Sequence, residues 1–210
     1  MCDTNDNKGM RPESDKALEA IRDEVSRCKR CRLCETRTLP VFGSGNPEAS
    51  VMIVGEAPGR NEDETGEPFV GKAGQRLTEM LALAGLRRED VFIANVLKCR
   101  PPKNRNPSAD EIVACSGFLM EQIRAVSPEV IVTFGNFATQ FVLGTKTGVS
   151  ELHGALYEGL LLGQGTDRGI SVYPVFHPAA TMYRPQWKPI LEEDMRRLGS
   201  ILHDKSQGSE

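Results

Sequence analysis

The chain lacks any hydrophobic run that approaches the roughly 20 residues needed to span a membrane. Its first segment, residues 1–16, is polar and has no hydrophobic signal core. We therefore expect a cytoplasmic protein that does not associate with membranes. Because structural disulfides are rare in a reducing compartment, the six cysteines of this 210-residue chain indicate metal binding or catalysis rather than cross-linking.

Two common signatures of enzymatic activity are also missing. The chain has no glycine-rich phosphate loop ending in Lys-Ser or Lys-Thr, and no serine in a Gly-x-Ser-x-Gly turn. Nucleotide hydrolysis and esterase chemistry are therefore disfavoured. A net charge of −3 carries no overall signature of nucleic-acid binding, which would have to use a local basic surface such as residues 27–32 or 100–105.

The chain does have cysteines in a 2+2 arrangement. Cys28 and Cys31 form a close pair near the start, and Cys99 and Cys115 lie in the middle. Four thiolates hold either a tetrahedral zinc ion or an iron–sulfur cluster, and spacing alone does not separate the two. The sequence therefore predicts a fold that closes around a metal centre.

Short apolar runs alternate with amphipathic segments along the chain. Continuous apolar runs predict buried strands at 51–54, 91–96, 130–134 and 172–176. Spacings of three and four, with capping signals, predict helices at 13–27, 73–84, 108–126, 136–143 and 189–203. This order indicates an α/β sandwich with a mostly parallel sheet. We expect one domain over residues 12–203, a hairpin-like stretch at 153–169, and loose tails at 1–11 and 204–210.

Polar features follow three of the expected strands. They are the turn at 55–59, Asn95 at the end of the second strand, and His177 after the fourth. Each alone is more often a turn, a capping residue or a structural histidine. In an open parallel sheet, however, ligands bind beyond the carboxyl ends of the strands. Their shared position therefore predicts a binding site at that edge.

Four motifs together resemble the family 4 uracil-DNA glycosylases, the iron–sulfur type. They are GEAPGRNED at 55–63, GEPFVGKAG at 66–74, NVLKCRPP at 95–102 and HPAA at 177–180. They occur in the family's order, and their combination is far more specific than any one of them. The resemblance implies a three-layer α/β/α sandwich with a four-stranded parallel sheet and an iron–sulfur cluster bound at one side. It also implies a DNA-repair enzyme that flips uracil out of DNA and hydrolyses its glycosidic bond, leaving an abasic site.

The resemblance further implies that the metal centre is a 4Fe-4S cluster with a structural role. It assigns the cluster ligands to Cys28, Cys31, Cys99 and Cys115. Cys2 and Cys34 are left over. By spacing alone Cys34 could replace a ligand, but a free thiol is the simpler interpretation.

The base pocket is also implied by the resemblance. Phe69 would stack on the flipped uracil, and the carboxamide of Asn95 would read its O4 and N3 edge, which cytosine inverts. His177 would stabilise the departing uracil anion at O2, helped by backbone N–H groups around Glu56 and Ala57.

The residue that activates water is left open. The related family 1 enzymes carry an Asp at the position of Ala57, so this chain lacks that group. We favour Glu62 for contacts in the pocket and keep Glu56 as its rival for the catalytic carboxylate. Gly55 and Asn104 complete the predicted substrate-binding set.

DNA contacts are expected from the loop after His177 and from the two basic segments, 27–32 and 100–105. The family's usual two leucines and arginine are replaced there by Thr-Met-Tyr-Arg at 181–184. Met182 is apolar and flexible enough to enter the gap left by a flipped base. The predicted DNA-binding residues are Arg100, Lys103, Arg105, Met182 and Arg184. The expected partner is single- or double-stranded DNA containing uracil, bound by a monomer, with a sliding clamp or other repair proteins as further candidates.

Two alternative functions remain at this stage. A uracil-binding protein of the same superfamily traps the sugar covalently, using a histidine in an arginine-rich loop that we do not find here. A non-catalytic iron–sulfur or zinc protein would use the four cysteines for redox sensing or DNA binding.

Overall fold

The structure, a computed structural model, describes residues 13–158 and 169–207. Its centre is a mixed, mostly parallel sheet of six strands. The strands are β1 (Ser44–Gly45), β2 (Val51–Gly55), β3 (Val91–Asn95), β4 (Val130–Phe134), β5 (Tyr157–Glu158) and β6 (Ser171–Val175). They lie in the order β1-β3-β2-β4-β6-β5. The four central strands are parallel, and β1 and β5 pair antiparallel at the two edges.

The prediction of a four-stranded parallel sheet is correct for the central strands and incomplete at the edges. The edge strands contain two residues each. Such short strands leave no alternating pattern in the sequence. The hairpin-like stretch expected at 153–169 is described only in part: its residues Tyr157–Glu158 pair with β6, and residues 159–168 lie outside the described chain.

Helices surround the sheet. They are α1 (Glu13–Arg27), α2 (Arg60–Thr65), α3 (Gly71–Leu83), α4 (Ala109–Val126), α5 (Asn136–Leu143), α6 (Val149–Leu152), α7 (Ala180–Tyr183) and α8 (Trp187–Gln207). The expected tail at 204–210 is helical through Gln207, because α8 continues past residue 203. The tail expected at 1–11 and residues 208–210 lie outside the described chain. Within the described ranges, no helix is long and apolar enough to cross a membrane.

An apolar core lies on each face of the sheet. Successive side chains of a strand point to opposite faces. Accordingly, Val51 and Ile53 of β2 pack with α3 and α8, whereas Met52 and Val54 pack with α1, α4 and α5. All five residues of β2 are buried, which explains the uninterrupted apolar run in its sequence.

The chain order of the strands creates the crevice that holds the site. The chain passes from β2 to β3 on one side and then crosses back to β4 on the other. Loops leaving neighbouring strands in opposite directions open a gap at their carboxyl ends. The three polar features at 55–59, Asn95 and His177 all lie at this edge, as expected.

Candidate active site

A cavity of about 530 Å³ lies beyond the carboxyl ends of the central strands. Its walls come from the loops after β2, β3 and β6, together with the segment between α2 and α3. The predicted pocket residues that line it are Glu56, Ala57, Glu62, Phe69, Asn95, Asn104 and His177. The structure therefore brings residues from four separate motifs around one space.

Gly55 lies beneath the cavity and permits its close packing. A Cβ atom at this position would collide with the Asn95 side-chain oxygen and lie 2.7 Å from Cζ of Phe69. Because glycine has no Cβ, the end of β2, the phenyl ring and the amide can pack together. Gly55 is thus required for the shape of the cavity.

Phe69 lies against the cavity in an unusual backbone conformation. Its φ of 49° lies in the left-handed region, which a bulky residue rarely adopts. The ring is buried, with 6% of the residue exposed. Its centroid lies 5.8 Å from that of His177, with an angle of 23° between the planes, and 6.1 Å from that of Phe134. The ring is therefore held by neighbours before any ligand is bound.

The carboxylate of Glu62 binds backbone rather than facing the cavity freely. Oε2 accepts a hydrogen bond from the Gly59 N–H at 3.0 Å, and Oε1 accepts one from the Val70 N–H at 3.0 Å. The first of these bonds caps the start of α2, and the second holds the residue that follows Phe69. Glu62 thus fixes the segment that carries the phenyl ring.

Glu56 is the other carboxylate on the cavity wall. Within the described part of the chain its carboxylate has no hydrogen bond or ion pair, and burial raises its pKa to about 6. A carboxylate with both oxygens available and a pKa near the working pH range can accept a proton from water.

Asn95 presents a buried amide to the cavity. Only 3% of the residue is exposed, and its side chain has no hydrogen bond to any part of the protein that the structure describes. No buried side-chain nitrogen or oxygen in the described residues lacks a hydrogen-bond partner, so the amide atoms of Asn95 must open onto the cavity, where a ligand can bind them.

The imidazole of His177 is arranged as a hydrogen-bond donor. Its Nδ1 lies 3.1 Å from the backbone nitrogen of Ala179, which donates the hydrogen bond. Burial lowers the pKa of His177 to about 4, so the ring is neutral at pH 7. A neutral ring whose Nδ1 accepts must carry its proton on Nε2.

The predicted DNA-binding residues of the β3–α4 loop differ in their availability. Arg105 forms a two-bond ion pair with Glu111, whose side chain is fully buried at the start of α4. Arg100 donates to the side-chain oxygen of Asn104 at 2.7 Å. Lys103 is exposed and has a positive φ of 55°. Arg105 thus holds the loop to α4, whereas Lys103 faces solvent.

The loop after His177 presents apolar side chains to solvent. Met182 is 45% exposed and Tyr183 is 83% exposed, and Tyr183 also lines the cavity. The guanidinium carbon of Arg184 lies 4.5 Å from the centroid of the Trp187 ring. We did not predict a role for Tyr183 from sequence. Its position where the family motif changes was the available signal.

Five cysteines line a second, much smaller pocket of about 10 Å³ between α1 and α4. They are Cys28, Cys31, Cys34, Cys99 and Cys115. The remainder of the lining is largely apolar and includes Val25, Leu33 and Phe118. No group of three cysteine, histidine or acidic side chains in residues 13–158 and 169–207 has the arrangement that holds a metal ion.

Hydrogen-bond donors approach three of the sulfurs. Arg37 donates to Cys99 Sγ at 3.2 Å, the Lys98 backbone N–H to Cys115 Sγ at 3.2 Å, and the Arg30 N–H to Cys28 Sγ at 3.5 Å. Burial raises the pKa of Cys99 to about 11, and it also raises the pKa of Cys31 and of Cys115. Burial thus favours the neutral thiols, whereas the N–H donors favour thiolate sulfur.

Comparison with known proteins agrees with this geometry. Residues 42–197 match the family model of the Uracil DNA glycosylase superfamily. A type-4 uracil-DNA glycosylase of Archaeoglobus fulgidus is 46% identical over 193 residues, which cover 90% of this chain and 95% of the relative. The type-4 enzyme of Sulfurisphaera tokodaii is 44% identical over 190 residues (88% of this chain, 84% of the relative). That of Thermotoga maritima is 40% identical over 188 residues (88% and 94%). The resemblance seen in the motifs is confirmed, and the chain belongs to the type-4 uracil-DNA glycosylases of the uracil-DNA glycosylase superfamily.

Proposed function

We propose that this protein excises uracil from DNA, releasing the free base and leaving an abasic site for repair. The observation that carries the proposal is the meeting, around one cavity, of an aromatic ring, an amide that opens onto the cavity without a protein partner, and a neutral imidazole donor. Family membership supports the same reaction.

Recognition requires the nucleotide to leave the duplex. Extrusion costs a few kcal/mol of unstacking and unpairing, and less when the base is mismatched or single-stranded. Stacking of uracil on Phe69 offsets part of this cost. The Asn95 amide offers an acceptor to N3–H and a donor to O4, and cytosine presents the opposite pattern.

Bond cleavage leaves an electron pair on the departing uracil and positive charge on the sugar. His177 donates its Nε2–H to uracil O2, where the negative charge develops. A neutral donor requires no change in its own charge during the reaction. Removal of one such donor costs about 10²- to 10³-fold in rate.

Glu56 activates the attacking water. The water oxygen forms a bond to C1′ of the sugar as the bond to uracil N1 breaks, and the water proton passes to the Glu56 carboxylate. The contacts of the two carboxylates favour Glu56 over Glu62, since both oxygens of Glu62 are occupied by backbone N–H groups. This ranking reverses the one preferred from sequence.

The donor chemistry of the cysteine pocket suits a 4Fe-4S cluster rather than a single metal ion, since several thiols lie in apolar surroundings but the described residues lack a single-ion ligand arrangement. Its ligands would be Cys28, Cys31, Cys99 and Cys115, with Cys34 as an additional thiol in the lining. Apolar walls and N–H donors to sulfur are the surroundings in which protein thiolates hold such clusters. When bound, the cluster supplies a structural cross-link between the end of α1, the segment after β3, and α4.

DNA is held at the mouth of the cavity. Arg100, Lys103 and Arg184 contact the phosphate backbone, and Met182 or Tyr183 enters the space left by the flipped nucleotide. Arg105 contributes through loop shape, because its guanidinium is already paired with Glu111.

The test is release of free uracil from single- and double-stranded oligonucleotides that contain one uracil. We expect release from the wild-type protein and none from matched oligonucleotides with thymine or cytosine. Asn95→Asp and His177→Ala should each lower the single-turnover rate by about 10²-fold or more, with an unchanged circular dichroism spectrum. Absence of release from both strand forms by a folded, iron-loaded protein would contradict the proposal.

A further inference from the structure

Lys98 is a buried lysine with no place in the proposed reaction. Only 1% of the residue is exposed. Burial of an amine in an apolar interior is unfavourable unless its hydrogen bonds are satisfied, and a methionine of similar length would fill the space without that cost. The contacts of Lys98 therefore need an explanation.

The side chain of Lys98 reaches the backbone of the base-reading residue. Its Nζ donates to the carbonyl oxygen of Asn95 at 2.8 Å and to Oε1 of Gln122 at 2.5 Å. Gln122 is itself fully buried, and its Nε2 donates to the Phe42 carbonyl at 2.9 Å. Lys98 thus connects the end of β3 to α4 through a satisfied network.

The backbone of Lys98 is tied to the cysteine pocket. Its N–H donates to Cys115 Sγ at 3.2 Å, and its carbonyl accepts from the Val41 N–H at 2.7 Å. Cys99 follows it directly in the chain. One residue therefore joins the sulfur-lined pocket to the strand end that carries the uracil-reading amide.

The Asn95 amide depends on its backbone for orientation. Its side chain has no hydrogen bond within the described residues, so its orientation depends on its own main chain and on the close approach of its side-chain oxygen to Gly55. A small rotation of that main chain would misalign the amide with N3–H and O4 of the base. Misplacement of a binding group by even an ångström lowers rates strongly.

We propose that Lys98 is a positioning residue that fixes the Asn95 main chain to the cysteine pocket and so aligns the amide that recognises uracil. The inference rests on the proposed function of Asn95. Lys98 does not touch the substrate, and its effect on excision passes entirely through Asn95.

A double-mutant cycle tests this inference. Single-turnover uracil excision is measured for the wild type, Lys98→Met, Asn95→Ala and the double variant, with visible cluster absorption and thermal unfolding recorded for each. We expect Lys98→Met to keep the cluster and to lower the rate by about 10- to 100-fold. In the Asn95→Ala background the same change should lower the rate by less than about threefold, because the group it positions is gone.

Leu119→Ala is the matched control. Leu119 is fully buried on α4 in the same core and is not part of the cavity wall. We expect it to lower thermal stability without a comparable loss of rate. Equal losses from Lys98→Met in both Asn95 backgrounds, a similar loss from Leu119→Ala, or no loss from Lys98→Met would each overturn the proposal.

Three further outcomes have to be distinguished. If Lys98→Met does not fold, Lys98→Leu, which also lacks a hydrogen-bond donor, replaces it in the cycle and is judged by the same criteria. If the wild type releases uracil but the cycle is additive, only the role of Lys98 is refuted. If the wild type releases none, the role of Lys98 falls together with the proposed function.

Discussion

The cavity at the ends of the strands and the cysteine pocket differ in size and in whether their polar groups have partners. The cavity at the sheet edge measures about 530 Å³ and contains polar groups without partners, among them the Asn95 amide and the Glu56 carboxylate. The cysteine pocket measures about 10 Å³, has largely apolar walls, and brings N–H donors to three of its sulfurs. The first arrangement suits a ligand that enters and leaves, and the second suits a permanent occupant. Substitutions in the cavity should therefore change rate before stability, and substitutions in the cysteine pocket should do the reverse.

The largest effect should come from the cysteine pocket. Cys115→Ser removes a proposed cluster ligand that is 7% exposed. We expect loss of visible absorption and iron, and a fall in the free energy of unfolding of about 4 kcal/mol or more, as is typical for loss of a bound metal. Cys34→Ser is the control, and we expect it to keep both the absorption and the stability. The ligand assignment would be wrong if Cys34→Ser lost the cluster and Cys115→Ser retained it.

The next effect should separate the two carboxylates of the cavity. Glu56→Gln removes the proposed base and should lower the single-turnover rate by about 10²- to 10⁴-fold, with little change in melting temperature. Glu62→Gln leaves one oxygen to accept and should mainly lower stability and loosen the Phe69 segment. A greater loss of rate from Glu62→Gln than from Glu56→Gln would restore the ranking made from sequence.

The acidic side of the pH–rate profile should report Glu56. Its pKa in the fold is about 6, above the ordinary 4.5, because burial disfavours the charged form. Protonation removes the base, so below pH 6 the rate should fall about tenfold per pH unit. Because burial disfavours the ionised form, deprotonation of Glu56 destabilises the fold. The stabilising contribution of the protonated carboxyl is fully present below about pH 4.5 and is lost as the pH rises through 6.

The ionisation of His177 should not contribute to the fall in rate on the acidic side of the pH–rate profile. Its pKa is lowered to about 4, so the ring stays neutral through the range in which Glu56 titrates. The Glu56→Gln variant should therefore have a flat profile between about pH 5 and 8. If the rate of the Glu56→Gln variant still fell near pH 6, a group other than Glu56 would be responsible for that pH dependence.

The smallest effect should distinguish loop support from DNA contact. Arg105→Gln breaks the ion pair with Glu111 and should lower the melting temperature, with an unchanged salt dependence of DNA binding. Arg184→Gln should weaken DNA binding and reduce the slope of log affinity against log salt by about 1, as expected for one lost phosphate contact. Binding titrations at several salt concentrations check both. An unchanged slope for Arg184→Gln would remove it from the DNA contacts.

Much of the fold could be predicted because its central elements are buried. The runs of β2 and β4 are apolar on both faces, and the pattern of Leu18, Ile21 and Val25 marks the inner side of α1. The spacing of Ser108 and Glu111 also predicts a capping box at the start of α4. The structure confirms it, because Glu111 accepts the Ser108 N–H at 3.0 Å. Elements without such patterns were missed. The edge strands are two residues long, and all six residues of α2 are polar.

The candidate site was predictable in its members and not in their contacts. Motif resemblance placed Glu56 and Glu62 in one pocket, and both line it. Their roles depend on which oxygens the backbone occupies, and the Val70 N–H that engages Glu62 comes from a separate turn of the chain. In the same way, the ion pair of Arg105 with Glu111 depends on the conformation of the β3–α4 loop, which could not be predicted from the sequence.

The strained backbone at Phe69 has a consequence for the end of the reaction. Its left-handed conformation is maintained by the Glu62 bond to Val70 and by ring packing, none of which requires a base to be present. A receptor that is rigid before binding does not relax when the glycosidic bond breaks. In the proposed reaction the free nucleobase would therefore leave a surface that still complements it, and we expect the product to compete with substrate for the same space.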